Sequence, residues 1–257
     1  MTDRNEALLK CNIEGAARRL ASARRSGNRL RALAEDMQPA DFADAAAIQE
    51  TTIRLLDERV AGYKVAGTEA DTVMWGAVLG SRLFDTPARI DASSVPLLGV
   101  EGEIAFQLGT DYGMPEKPLT LEQFDAMVTV RPCIEVVDSR FADYKAAPLL
   151  HRAADLMSNG ALVCGRPWTE CRISSLTELE VTLRCDDTVL LESVGGHPAK
   201  DPRLPALAFL NSKNRPFALP RGTIITTGTY TGLHFARPGQ TLEVAFRGYG
   251  TVSVAFI

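Results

Sequence analysis

The feature that most constrains this chain is a strict alternation from Val100 to Leu108, in which Val100, Gly102, Ile104, Phe106 and Leu108 interleave with Glu101, Glu103, Ala105 and Gln107. A period of two is that of a β-strand, because successive side chains leave a pleated backbone on opposite faces. Glu101 and Glu103 therefore share a face, with Cα atoms roughly 7 Å apart. Further on, Ile134-Glu135-Val136-Val137 reads as a second strand from which one carboxylate emerges in an apolar run. Carboxylates gathered this closely repel unless a cation sits among them or one is protonated. Three of them suit a hard divalent ion, Mg²⁺ or Mn²⁺, that keeps positions open for substrate oxygens. The alternation is equally that of an antiparallel strand with one wet face, so both readings stand at this point.

Composition enters as a set of exclusions. A net charge of −4 argues against a nucleic-acid-binding surface. No apolar run approaches the ~18 residues of a membrane span, and Met1–Glu6 lacks the apolar core of a signal peptide. Cys11, Cys133, Cys164, Cys171 and Cys185 are odd in number and contain no CxxC pair. Neither a disulfide framework nor a zinc site is expected, and the cytoplasm is the expected compartment.

Along the chain, Leu8, Leu9, Ile13, Ala16, Ala17, Leu20 and Ala21 recur at helical spacing, predicting a helix from about Asp3 to Arg25 that stops at Gly27. The arginines clustered there, Arg18, Arg19, Arg24, Arg25, Arg29 and Arg31, read as a solvated face. Asp41 is placed to cap a second helix running to about Asp57. Gly62–Gly67 reads as a short strand in which Val65 and Ala66 follow Lys64, and a surface lysine is the ordinary meaning of that pattern. Thr120 and Gln123 fit a capping box. His151–Asn159 reads as a helical turn or loop and Ala161–Cys164 as a strand. A hairpin turns at Cys185–Asp187. Asp201-Pro202 opens another helix, and strands follow at Thr223–Thr227, Thr241–Phe246 and Thr251–Phe256. The outcome is an α+β chain, β-rich with interspersed helices.

Leu98–Phe106 followed by Ile134–Arg140 resembles the fumarylacetoacetate hydrolase superfamily. Gly62-Tyr63-Lys64-Val65, Ala153-Ala154-Asp155, Gly196-His197-Pro198, Ile224–Thr229 and the Pro238-Gly239 turn extend the likeness from about Ile48 to the C-terminus. Within the superfamily the chain is most similar to the 2-keto-4-pentenoate hydratase and 4-oxalocrotonate decarboxylase branch. It departs in carrying Tyr63 where the branch usually has His, and Ala66–Glu69 in place of a Gly-Leu-Thr-Ser-like run. Leu156 and Met157 follow Asp155 where the branch has an Asn-Ala-like pair. The resemblance implies a mixed β-roll of the fumarylacetoacetate hydrolase C-terminal type, with an N-terminal helical cap over residues 1–70 and the catalytic roll over 71–257. It implies Glu101, Glu103 and Glu135 as metal ligands, and Lys64 and Asp155 as the groups that move or relay protons. A homo-oligomer is implied too, permitted by an apolar C-terminal strand, Val252–Ile257, expected to present an edge for another chain to cover.

Thr229, in a Thr/Gly loop, and His197, after Gly195-Gly196, are the candidate substrate contacts. Hydrolases of the superfamily activate water with a histidine and carboxylate placed before the metal-binding strand. The histidines here are His151, His197 and His234, so carbon–carbon bond hydrolysis is disfavoured. Beside a bound cation, Lys64 is expected to titrate near neutrality, and without one near its ordinary value of about 10.4. The reading is a hydro-lyase that hydrates 2-hydroxypenta-2,4-dienoate (2-keto-4-pentenoate) to 4-hydroxy-2-oxopentanoate in aromatic meta-cleavage catabolism. The alternatives are 4-oxalocrotonate decarboxylation at the same metal site and a non-catalytic partner subunit. The expected partner is a small 2-oxo or 2-hydroxy dienoic acid, with association with a sister decarboxylase or hydratase as a further expectation.

Overall fold

The computed structural model describes residues 11–168 and 173–257. The first half of the chain carries α1 (Ile13–Ser26), α2 (Phe42–Leu56), β1 (Val60–Ala66), β2 (Met74–Leu79), β3 (Leu83–Asp85), β4 (Ala88–Ile90), β5 (Gly99–Leu108), α3 (Leu121–Met127) and β6 (Val128–Val137). Next come α4 (Leu149–Ala154), β7 (Asn159–Cys164), β8 (Glu180–Cys185), β9 (Thr188–Val194), α5 (Arg203–Asn211), β10 (Ile224–Thr229), β11 (His234–Phe235), β12 (Thr241–Phe246) and β13 (Gly250–Phe256).

Local chemistry sets the helix ends. Asp41 Oδ1 accepts the Asp44 N–H at 2.9 Å at the start of α2, and Thr120 and Gln123 form the reciprocal capping box of α3. The helix expected from about Asp3 starts later, at Ile13, where the Asn12 side chain caps α1 by accepting the Gly15 N–H at 2.8 Å, and it stops at Gly27 as expected; residues 3–10 of that expectation lie outside the described residues.

Among the described residues the strands form two sheets. The eight-stranded sheet runs β2-β1-β10-β5-β6-β7-β3, with β11 also paired to β5, and the five-stranded sheet runs β4-β13-β12-β8-β9. Ile104, Phe106, Ile134 and Val136 of the first meet Leu183, Val244, Phe246 and Val254 of the second in one apolar core. Strands β2 and β7 lie near opposite ends of the larger sheet's order, yet they touch. That sheet is therefore curled, and its other face closes around Val78, Ala105, Cys133, Leu162, Cys164 and Ile224.

Helices α1, α2 and α4 pack over one end of the curl through Ala16, Ala17, Leu20, Ala45, Ile48, Ala153 and Ala154. Buried Gln49 of α2 donates to the Trp75 carbonyl at 2.9 Å and accepts from the Ala77 N–H at 3.1 Å. It thus satisfies the edge of β2, where unpaired backbone groups would otherwise be left. No helix among the described residues is long and apolar enough to cross a membrane.

Strand β1 belongs to the large sheet, where Gly62, Tyr63 and Lys64 pair with Ile224, Ile225 and Thr226. Two expectations change here. The C-terminal strand is no edge: β13 lies between β4 and β12, and Val252, Val254 and Phe256 are fully buried. The second face of β5 is not wet either, since the curl covers it and leaves Glu103 only 2% exposed.

Candidate metal and substrate site

Register places the carboxylates. In the antiparallel β5–β6 pair Glu101 lies opposite Glu135 and Glu103 opposite Cys133, so all three glutamates share the inner face of the curl. One oxygen from each lies within 4.8 Å of the others. Lys64 reaches the same face from β1, and its Nζ is 2.8 Å from Glu135 Oε1. Asn159 Nδ2 donates to that same oxygen at 3.0 Å.

Glu103 Oε2 accepts from the Thr226 hydroxyl and from the Gly228 N–H at 3.2 Å. The second contact exists because the β10–β5 register slips between Thr226 and Thr229, turning the Gly228 N–H towards the carboxylate. Gly228 has φ 121°, which glycine alone adopts readily.

The electrostatics follow from this packing. Burial pushes the Glu103 carboxyl up to about 8, with the charges of Glu135 and Glu101 adding to it and Lys64 and Thr226 opposing. Burial likewise lifts Glu101 to about 7, opposed by Lys64 and reinforced by Glu135. For Lys64, burial pulls the pKa down, but Glu135, Glu101 and Glu103 outweigh it and hold the ammonium above its ordinary range. The expectation of a near-ordinary value for the metal-free lysine is thereby corrected: an ion pair with a fully buried carboxylate is stronger than that expectation allowed.

Glu135 Oε2 is buried and has no hydrogen-bond partner among the described residues. An orphaned oxygen beside two carboxylates that resist ionising fits a cation as its partner, and an all-oxygen donor set fits a hard divalent one. Glu101, Glu103 and Glu135 are the residues able to hold it.

Lys64 also lines a 130 Å³ pocket, together with Met74, Tyr144, Leu149, Arg152, Ala153, Met157 and Ser158. Its rim is a left-handed turn, Leu156-Met157-Ser158, with φ of 53°, 51° and 60°. Consecutive non-glycine residues in that region are unfavourable, and such strain persists only where the surroundings enforce it. Gly76 makes the turn possible: a Cβ there would stand 2.4 Å from the Leu156 carbonyl oxygen and 2.7 Å from Met157 Cβ.

The other sequence candidates stand apart from this pocket. Asp155 is buried and committed: Oδ1 accepts from Arg140 Nε at 2.6 Å, Oδ2 accepts the Arg140 N–H at 2.9 Å, and Arg24 lies at 3.6 Å. A carboxylate this buried takes a countercharge, and here Asp155 anchors the left-handed turn, its carbonyl accepting the Ser158 N–H at 2.9 Å. His197 uses both ring nitrogens on backbone, Nδ1 accepting from the Ala199 N–H at 3.2 Å and Nε2 facing the Thr227 carbonyl at 3.1 Å. Burial lowers its pKa, consistent with a neutral ring that braces the Gly228 bulge. Thr229 spans the same bulge, its hydroxyl donating to the Gly102 carbonyl at 3.3 Å and accepting the Thr231 N–H at 3.1 Å.

Sequence reasoning missed Thr226, Asn159, Ser158 and Arg152. Thr226 alone carried a signal: it lies in the Ile224–Thr229 run that bears the family resemblance.

A curled mixed sheet with an inward carboxylate triad defines a class, the β-roll proteins built around an acidic cation site. Residues 81–256 match the family described as Fumarylacetoacetate (FAA) hydrolase C-terminal. The chain belongs to that family. It is 29% identical to the 2-hydroxyhexa-2,4-dienoate hydratase of Comamonas testosteroni, covering 95% of this chain and 97% of that one. It is 27% identical to a 4-oxalocrotonate decarboxylase of Pseudomonas putida, covering 98% and 100%. Among solved structures, 4-oxalocrotonate decarboxylase from Pseudomonas putida G7, complexed with magnesium and adipate, superposes with a TM-score of 0.81. It is 24% identical, over 95% of this chain and 97% of that chain.

Proposed function

We propose that this protein is a divalent-metal-dependent hydro-lyase that converts 2-hydroxypenta-2,4-dienoate to 4-hydroxy-2-oxopentanoate. The observation that carries the reading is the convergence of Glu101, Glu103 and Glu135 beside Lys64, at a pocket whose neighbouring Glu135 Oε2 lacks a partner. A Mg²⁺ or Mn²⁺ ion held by the three carboxylates supplies Lewis-acid stabilisation of enolate character at C2.

The chain's own part is proton transfer and enclosure. Protonation at C5 with loss of the C2 hydroxyl proton turns the dienol into a conjugated 3-en-2-one, and water then adds OH at C4 and H at C3. Lys64, whose Nζ lies 2.8 Å from Glu135 Oε1, is the group that donates and recovers these protons in this reading. Met74, Leu149, Ala153 and Met157 give the pocket an apolar wall that limits water. The existence of this pocket beside the triad speaks against a purely structural subunit.

One observation favours decarboxylation as the second reading. The pocket wall carries neither carboxylate nor histidine, and Asp155 is occupied by Arg140. Hydration asks Lys64 for several proton transfers, whereas release of CO₂ from a vinylogous β-keto acid such as 4-oxalocrotonate leaves a dienolate that asks for one.

The test is incubation of the Mg²⁺-loaded enzyme with 2-hydroxypenta-2,4-dienoate and, separately, 4-oxalocrotonate. Loss of diene absorbance without CO₂ supports the hydratase, CO₂ from the second substrate transfers the assignment to the decarboxylase, and inertness towards both rejects the reading.

A further inference from the structure

The arginines expected on a solvated face of α1 divide. Arg18 is exposed, but the Arg24 side chain is only 9% accessible and that of Arg29 only 24%. Both turn into a 510 Å³ cavity beside the end of α1, the β2–β3 connection and the end of β6, which Arg25, Arg82 and Arg140 also line. This cavity shares no lining residue with the Lys64 pocket. Asn159 stands between these arginines and the triad. Its carbonyl accepts from Arg24 Nη2 at 3.0 Å and from Arg140 Nη2 at 3.2 Å, while its side chain meets Glu135.

Charge in the cavity is unbalanced. Asp138 is spent on Arg29 at 2.9 Å and on Arg140 at 3.1 Å. Asp155, behind the wall, is held by Arg140 at 2.6 Å, with Arg24 at 3.6 Å. Glu58 accepts from the Ser81 hydroxyl and N–H. Arg25 and Arg82 form no ion pair among the described residues: Arg25 donates to the Leu55 carbonyl, and Arg82 to the Ser94 hydroxyl at 3.1 Å. Arg24 Nε is buried without a hydrogen-bond partner. Five guanidiniums thus face three carboxylates, a surplus of two positive charges. Burial first, and the charge of Arg140 next, pull the Arg24 pKa down to about 9 against the opposing carboxylates. The C-terminal end of α1 favours cations and accounts for part of this placement, but it supplies no acceptor to Arg24 Nε.

A buried donor left unmatched is unfavourable until something accepts from it, and guanidinium forks match oxyanions. Arginines contributed by three separate segments suit a tetrahedral oxyanion better than a planar carboxylate, and a surplus of two charges suits a dianion. The cavity volume lies within the roughly 300–1,000 Å³ of small-molecule sites, so it holds more than the oxyanion itself. We propose that this cavity is a second ligand site, separate from the metal centre, for the phosphate monoester of a small metabolite, with Arg24 and Arg82 as its principal donors. Such a monoester is dianionic above a pH of about 6. The site holds whichever reaction the triad serves.

Isothermal titration calorimetry on the full-length, Mg²⁺-loaded protein tests this with glycerol 3-phosphate and inorganic phosphate as probes and acetate as the control. Both phosphates should bind the wild type, and acetate should bind at least about tenfold more weakly. Arg82→Gln, at a partly exposed residue, should weaken both phosphates by about tenfold or more, and Arg82→Lys should restore part of the loss by keeping the charge. Arg24→Gln should match Arg82→Gln. Glu103→Gln should leave phosphate binding unchanged, since the metal centre lies apart from the cavity. Circular dichroism melts establish that each variant is folded. The site is overturned if neither phosphate binds, if acetate binds as tightly, or if affinity survives in folded Arg82→Gln. Loss of binding in Glu103→Gln overturns it too, because the phosphate would then sit on the Mg²⁺ ion.

Discussion

In the proposed function Glu103 is a metal ligand and Lys64 moves protons, and each role has a distinguishing substitution. Glu103→Gln keeps the Thr226 and Gly228 contacts within reach of an amide oxygen, so the fold should persist. Removing a direct carboxylate ligand should weaken Mg²⁺ binding by more than the roughly 10- to 100-fold that loss of an outer partner causes. Unchanged affinity in titration calorimetry would remove Glu103 from the metal site. Lys64→Arg retains the ion pair with Glu135 but cannot release a proton at working pH. If Lys64 moves protons, turnover should fall by about 100-fold or more. A loss of only a few-fold would reduce Lys64 to a substrate anchor. The roles of these residues differ in how far sequence reveals them. The triad is legible because a two-residue period fixes which side chains share a face. Asp155 is legible as a motif residue, but its engagement by Arg140 depends on the fold.

At the level of elements, the left-handed turn on β2 is the part most exposed to a single methyl group. Gly76→Ala drives a Cβ into the Leu156 carbonyl, and the turn must lift or β2 must yield. Overpacking of this kind typically costs about 1–3 kcal/mol. Thermal melting should show that loss, and KM should rise because Met157 and Ser158 line the pocket. A variant with wild-type Tm and KM would show that the turn is free to move. The sequence reads His151–Asn159 as a helical turn or loop, but nothing in it announces the left-handed form, since Leu156 and Met157 are not turn formers. They adopt it because α4, Asp155 and Gly76 leave no other path. The caps of α2 and α3 and the hairpin at Asp186-Asp187 were readable in advance, because their signals lie within a few residues of one another.

For the whole molecule, pH and metal should be linked through the triad. In metal-free protein the Glu101 and Glu103 carboxyls titrate at about 7 and about 8, above the ordinary carboxylate range of the unfolded chain. The folded state therefore binds protons more tightly. That contribution to stability is present at low pH and is lost as pH rises from about 4.5 to about 8. Lys64, raised above its ordinary range, keeps its contribution throughout this window. Mg²⁺ competes with those protons, so the Tm difference between Mg²⁺-saturated and metal-free protein should widen from pH 5 to pH 8. A constant or narrowing difference in calorimetry contradicts the linkage. The molecule is also expected to self-associate, now through the exposed edge strand β9, where Val189, Leu190 and Val194 are exposed, and not through buried β13. Light scattering at micromolar concentration should return a multiple of 27.8 kDa, and the monomer mass would refute it.

What the sequence alone determined is local and periodic: the strand from Val100, the shared face of Glu101 and Glu103, the helix starts at Asp41 and Thr120, and the family. Only the tertiary structure decided what covers that face. Alternation states that two sets of side chains point in opposite directions, but it is silent on which direction meets solvent. The curl of the large sheet answered that by burying both faces of β5, bringing Lys64 of β1 onto Glu135 of β6 across two intervening strands. The same closure paired Asp155 with Arg140. These are contacts between residues far apart in sequence, set by the register and curvature of the sheet, and no local pattern encodes them.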